Sequence, residues 1–237
     1  MDASLWTDGG GGVFYNGESG GTATGYFIQE HGVLNGDSIL RLEAYPDPTN
    51  IVNCFEYNST IAAEVSNWGG AGTHSILSFG YNSISTVCMR FDTYPGIAPM
   101  SILFGGGEID FAEFNIIPTK NGPVTFFYLT ILPGGSQHQI GITAPGGVDF
   151  SQWGVLQCKI TSTQITLFYS SDGVTYTDVS GGAYTFTSPE LAAITSNEHL
   201  CLQIQTGDVM ANPGPDSSVT SATPVKLLVD WVAVDIA

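Results

Sequence analysis

The chain has 237 residues, 43% hydrophobic and 11% charged, with 30 glycines. That is enough to bury a sizeable core, within the size that β-sandwiches and barrels reach as one domain. Twenty-two acids against five bases give a net charge of −17, which repels polyphosphate backbones and anionic bilayers alike, and no run of Lys and Arg is present to localise either.

Turn-forming residues recur so often that few windows could hold three helical turns; what recurs instead is short alternation. The start is glycine-rich (Gly9 to Gly12, Gly20, Gly21) and reads as surface loop. In residues 39–44, ILRLEA, Leu40, Leu42 and Ala44 share one face while Arg41 and Glu43 take the other. Val87, Met89 and Phe91 alternate with Thr86, Cys88, Arg90 and Asp92. Ile165, Leu167 and Tyr169 run into Ser171-Asp172-Gly173 before Val174 and Tyr176 resume, which predicts a hairpin with an Asp-Gly turn. Residues 211–222, ANPGPDSSVTSA, read as another loop. The chain closes with VKLLVDWVAVDI (225–236), apolar on both faces and so expected as a central strand covered on both sides. Trp231 alternates with Val229 and Ala233 and is expected in the core. About a dozen such strands, without a linker or internal repeat, predict an all-β fold: one domain over 1–237, two antiparallel sheets packed as a sandwich or jelly roll.

Four cysteines, Cys54, Cys88, Cys158 and Cys201, lie far apart without a CxxC pair, so zinc spacing is absent. Several sit in apolar alternations and are expected as buried free thiols. His31, His74, His138 and His199 are scattered and form neither an H-x-x-x-H pair nor a Ser-His-Asp order. No run of about 18 apolar residues suggests a membrane span. No basic-then-apolar leader precedes Asp2, which is compatible with a mature secreted chain, a piece of a larger protein, or a route other than secretion.

The most informative stretch is GGGEIDFAEF, residues 105–114. In a strand successive side chains alternate faces, so Glu108 and Asp110 share one while Ile109 and Phe111 take the other. Glu113 has the wrong parity to join its fellow acids. One extra residue at Phe111-Ala112, a β-bulge, brings it back, and bulges concentrate beside active sites because they re-aim a side chain. Ordinary surface strands also carry three acids in six residues. The flanks here, Met100 to Phe104, Phe111, Phe114, Ile116 and Ile117, are strongly apolar, and a central strand can place carboxylates in a cleft but not in a core. Four effective strand steps separate the Cα atoms of Glu108 and Glu113 by roughly 13 Å. Two glutamates leaning together across that distance bring their carboxylates to roughly 5–6 Å, about the separation that a retaining glycosidase needs.

GEIDFAEF resembles the E-x-D-x-x-E signature of family 16 glycoside hydrolases, the laminarinase, lichenase, agarase and carrageenase group with a concanavalin-like jelly roll. The likeness extends in order along the chain. It takes in HGVLNGDSILRLEA (31–44), Phe79-Gly80-Tyr81 with Val87 to Phe91, Asp149-Phe150-Ser151-Gln152-Trp153, HLCLQIQTG (199–207) and LVDWVAV (228–234). The resemblance implies Glu108 as nucleophile, Asp110 as its electrostatic helper and Glu113 as general acid/base of a retaining double displacement. It also implies that the bulged motif goes with laminarinase-, agarase- and carrageenase-like members, the lichenase-like branch lacking the extra residue. Asp230 resembles the position where members hold a structural calcium; no cofactor is expected to serve catalysis.

The pattern departs from the family where sugars are gripped. Met100-Ser101-Ile102-Leu103-Phe104 offers Phe104 where members carry a tryptophan, and Gly154-Val155 replaces a histidine after Trp153. Aromatic rings that could stack on a substrate are Trp68, in a glycine-flanked segment, Tyr81, Phe104 and Trp153. Two readings follow. One is an endo-glycosidase cutting internal bonds of a β-linked polysaccharide, of β-1,3-glucan or galactan type. The other is a lectin-like carbohydrate-binding module of a larger assembly such as a phage tail protein. Both expect a polysaccharide partner, no nucleic acid and no membrane, a monomer, and a secreted or virion-associated setting.

Overall fold

The computed structural model describes residues 6–7, 13–15, 22–24, 32–34, 37–46, 68–69, 71–92, 97–104, 108–119, 122–132, 138–143, 148–193, 198–206, 220, 222–223 and 225–236. In chain order the strands are β1 (Trp6–Thr7), β2 (Val13–Tyr15), β3 (Thr22–Thr24), β4 (Gly32–Leu34), β5 (Asp37–Pro46) and β6 (Trp68–Gly69). They continue with β7 (Ala71–Phe79), β8 (Ser83–Phe91), β9 (Ile97–Phe104), β10 (Glu108–Thr119), β11 (Gly122–Leu132) and β12 (His138–Thr143). After these come β13 (Gly154–Ile160), β14 (Gln164–Ser170), β15 (Thr177–Asp178), β16 (Tyr184–Thr185), the helix α1 (Ser188–Ala193), β17 (Glu198–Thr206) and β18 (Val225–Ile236).

Among the described residues, one sheet runs β1-β7-β17-β9-β10-β11-β12 and a nine-stranded sheet runs β15-β14-β13-β8-β18-β5-β4, with β16 and β6 attached to β14 and β5. Both are antiparallel. This is the expected sandwich. Its core takes Phe79, Ile109, Phe111, Leu200, Leu202 and Ile204 from the first sheet, and Leu42, Val87, Met89, Leu156, Leu167 and Leu227 from the second. The alternation of β8 is as read: Val87, Met89 and Phe91 enter the core. Among the described residues no helix is long and apolar enough to cross a membrane.

Trp231 corrects the reading of the last strand. Val225, Leu227 and Val229 are buried, but the register against β8 slips between Val229 and Trp231, with Asp230 as the extra residue. A one-residue slip exchanges the faces. Beyond it Val232 and Val234 pack against the core and Trp231 stands 41% exposed on the outer face. The strand is central, between β8 and β5, but its outer face is not covered as expected.

The predicted hairpin forms with a wider loop, since Tyr169 pairs with Thr177 and Phe168 with Asp178. Asp172 organises that loop: its Oδ1 accepts from Val174 N at 2.8 Å, Thr175 N at 2.7 Å and the Ser170 hydroxyl at 2.9 Å. These bonds to the ionised form hold its pKa down to about 2, and Gly173 supplies the positive φ of 73°. Cys88, Cys158 and Cys201 are buried free thiols, as expected. Burial, then the charge of Asp230, pushes Cys88 up to about 11. Cys54, His31, the glycines at 9–12 and 20–21, and most of the 211–222 loop lie outside the described residues.

Candidate active site

β10 lies between β9 and β11 in its sheet. Along β11, Glu108 pairs with Leu132, Asp110 with Thr130 and Glu113 with Tyr128. Three steps on β10 between Asp110 and Glu113 therefore match two steps on β11. Against β9 the shift falls between Asp110, opposite Ile102, and Ala112, opposite Ser101. This is a β-bulge at Phe111-Ala112, where the parity of the acids required one. Leu132, Thr130 and Tyr128 alternate by two, so their partners Glu108, Asp110 and Glu113 occupy one face of the sheet. Ile109 and Phe111, both 0% exposed in the core, take the other. The acids are thus on the side turned away from the core. Four partner-strand steps from Leu132 to Tyr128 set Glu108 and Glu113 roughly 13 Å apart at Cα.

The register also identifies what shares this face. Phe104 is directly opposite Glu108 on β9, and His199 is opposite Phe104 on β17. Met100 and Tyr128 flank Glu113, and Gln203 lies beyond Met100. His199 is half-buried, and its Nδ1 donates to the Ser75 carbonyl at 2.7 Å. The Ser75 hydroxyl accepts from Leu200 N at 3.0 Å. The β7 to β17 register slips here, so Ser75 fixes the irregular edge that carries His199.

Tyr128, His199 and Gln203 were not singled out from the sequence. Asn121-Gly122 between apolar runs is a hairpin signal that would have led to Tyr128. Thr119 pairs with Gly122, and counting back through the bulge reaches Tyr128 opposite Glu113. His199 and Gln203 depend on a strand pairing across about 100 residues, which carries no local signal.

Of the four aromatic candidates, register brings Phe104 to the acids. Trp153 is elsewhere: its ring lies under the Arg90 guanidinium, 5.3 Å from the centroid, on the nine-stranded sheet. Tyr81 follows β7, with its hydroxyl donating to the Leu191 carbonyl at 2.7 Å and its ring edge-on to Phe186 at 6.4 Å. It fastens α1 to the core. Trp68 pairs with Pro46 at the β5–β6 contact. Asp230 is the bulge residue of β18, and among the described residues no three His, Cys, Asp or Glu side chains gather around a common point.

By sequence, the chain matches no protein-family model and none of the curated proteins. Solved structures resemble it along nearly its whole length. The endo-β-1,3-glucanase of Pyrococcus furiosus superposes with a TM-score of 0.66 at 19% identity, over 99% of this chain and 89% of that one. A non-specific endo-β-1,3(4)-glucanase from family GH16 gives 0.63 at 16%, over 98% and 84%. A protein described as an immunostimulatory antigen and pseudo β-1,3-glucanase of Mycobacterium tuberculosis gives 0.61 at 18%, over 100% and 92%. The fold is therefore that of the family 16 glycoside hydrolases.

Proposed function

We propose that the chain is a retaining endo-glycosidase that hydrolyses internal β-glycosidic bonds of a polysaccharide, of β-1,3-glucan or galactan type. The observation that carries this reading is the bulge that brings Glu113 onto the face of Glu108 and Asp110. A carboxylate at Glu108 attacks the anomeric carbon while Glu113 protonates the departing glycosidic oxygen, and a glycosyl ester forms on Glu108. Glu113, now a carboxylate, takes a proton from water as that water attacks the same carbon and releases Glu108. Asp110 between them shares a proton with Glu108, because adjacent like charges do not both ionise cheaply. Phe104 supplies an apolar ring beside the nucleophile. No step passes through a cation, and we assign the chain to a monomer acting in a secreted or virion-associated setting.

The test is reducing-end release from laminarin, mixed-linkage glucan, agarose, carrageenan and arabinogalactan, comparing the parent chain with Glu108→Gln. Release from one polymer, abolished by that substitution, is the expected outcome. A second reading, a lectin-like module, is favoured by the placement of Trp153 on the opposite sheet and by the fold it shares with a pseudo β-1,3-glucanase. No release from any polymer, with binding that survives Glu108→Gln, would establish it.

A further inference from the structure

We infer that the outer face of the nine-stranded sheet is a second, non-catalytic glycan site, and that it takes saccharides bearing sparse anionic substituents, a carboxylate or a sulfate ester. This does not rest on the hydrolase reading.

The first observation is where the bases are. Leu228 of β18 pairs with Arg41 on one side and Arg90 on the other, so the two arginines flank it in one row of the outer face. Lys226 shares this face two residues along β18, and Lys159 is on it opposite Ile84. Four of the five bases in the chain therefore occupy one face. Asp37, Glu43, Asp92, Asp178, Asp230 and Asp235 share it, which leaves sixteen acids and one base for everything else. On a molecule of net charge −17 this surface carries only −2 of the total, and an anionic group can approach it without meeting the bulk of the carboxylates.

The second is the state of Arg90. Its guanidinium lies over the Trp153 ring, and among the described residues it makes no ion pair and no side-chain hydrogen bond. A guanidinium held on a ring with N–H groups that meet no partner among the described residues can take a carboxylate or sulfate through two parallel bonds.

The third is Trp231, turned outward by the bulge and 41% exposed. It is opposite Cys88, and Arg90 lies two residues along the same face of β8, a diagonal of roughly 7–8 Å between Cβ atoms. An exposed indole beside an open guanidinium offers one surface for the apolar face of a sugar ring and another for its charged substituent. Other occupants fit less well. A two-fold contact with a second copy would set this row of guanidiniums against itself. A nucleic acid, with a charge every ~1.7 Å, would run onto the surrounding acids.

The experiment is titration calorimetry on the full chain with three probes: an oligogalacturonate, a sulfated galactan oligosaccharide and a neutral laminari-oligosaccharide. At least one anionic probe should bind, more weakly as salt is raised. Arg90→Gln and Trp231→Ala should each weaken that binding by about tenfold or more, and Glu108→Gln should leave it unchanged. Arg90→Lys keeps the charge without the fork and should also lose affinity. Binding of the carboxylated or of the sulfated probe alone tells which substituent the fork selects. Trp231 is on the surface, so its variant decides the matter even if the Arg90 variants fail to fold. Failure of both anionic probes to bind would overturn the proposal. So would binding that survives the Arg90 and Trp231 substitutions, loss of binding in Glu108→Gln, or a dimer that Trp231→Ala dissolves.

Discussion

Gly154 follows Trp153 where family 16 sequences lead one to expect a histidine, and the packing around it gives the reason for the difference. A Cβ added there would meet Tyr169 Cε2 at 2.7 Å and Phe150 Cε1 at 3.2 Å. Neither ring is free to retreat. Phe150 stacks on Phe91 at 5.4 Å and meets Tyr169 edge-on at 5.1 Å, while the Tyr169 hydroxyl donates to the Asp149 carbonyl at 3.2 Å. Two rings from separate segments fill the volume of a side chain. Gly154→Ala should therefore destabilise by about 1–3 kcal/mol through overpacking, read as a lower urea midpoint with an unchanged slope. An unchanged midpoint would mean that Tyr169 swings aside at no cost. None of this was legible locally, because Tyr169 is brought beside Gly154 by the pairing of β13 with β14.

Asp172 is a second case at this scale, and its titration has a definite sign. Its pKa in the fold, about 2, lies below the ordinary carboxylate value, so the order it gives the hairpin loop is present above the ordinary value and is lost as pH falls through about 2. The carboxyl carbon signal of Asp172 in NMR should titrate near that pH, together with the Val174 and Thr175 amide protons. A midpoint in the ordinary range would mean the loop bonds do not persist in solution.

Two strands carry bulges, and only one could be read ahead. In β10 three acids stood among apolar residues, so alternation put Glu113 in conflict with Glu108 and Asp110, and the extra residue showed as that conflict. In β18 the run LVDWVAV is apolar at both parities, so a slip at Asp230 disturbs no pattern and Trp231 reads equally well inside or out. The β10 bulge can be tested by a pair of variants. Deleting Ala112 leaves E-I-D-F-E, in which plain alternation still puts all three acids on one face. Deleting Phe111 and Ala112 together leaves E-I-D-E, which moves Glu113 to the parity of Ile109, against the core. On the hydrolase reading the single deletion should retain measurable turnover. The double deletion should lose roughly 10²–10⁴-fold, the contribution of a positioned general acid. Equal activity in both would disconnect Glu113 from the chemistry.

The two sheets share one core cluster, with Leu200 of β17 and Leu156 of β13 among its fully buried members. Leu200→Ala should cost about 2–5 kcal/mol. Tryptophan fluorescence, which includes Trp153 and Trp231 on the nine-stranded sheet, should report the same single unfolding transition as far-UV circular dichroism. Two separate transitions would contradict the single domain expected from the absence of a linker.

Alternation every second residue was enough to determine that this chain folds as an antiparallel sandwich. It also determined which side of β8 enters the core and that a bulge separates Asp110 from Glu113. Each of these follows from side chains a few residues apart on one strand. Tertiary structure alone decided the rest: Phe104 beside Glu108, His199 and Tyr128 on the same face, Trp231 turned outward and Gly154 hemmed in by rings. It also gathered Arg41, Arg90, Lys159 and Lys226, which form no run in the sequence, onto one surface. These depend on which strands are neighbours and in what register, and a hydrogen-bonded ladder between distant segments leaves no trace in the spacing of residues along either one.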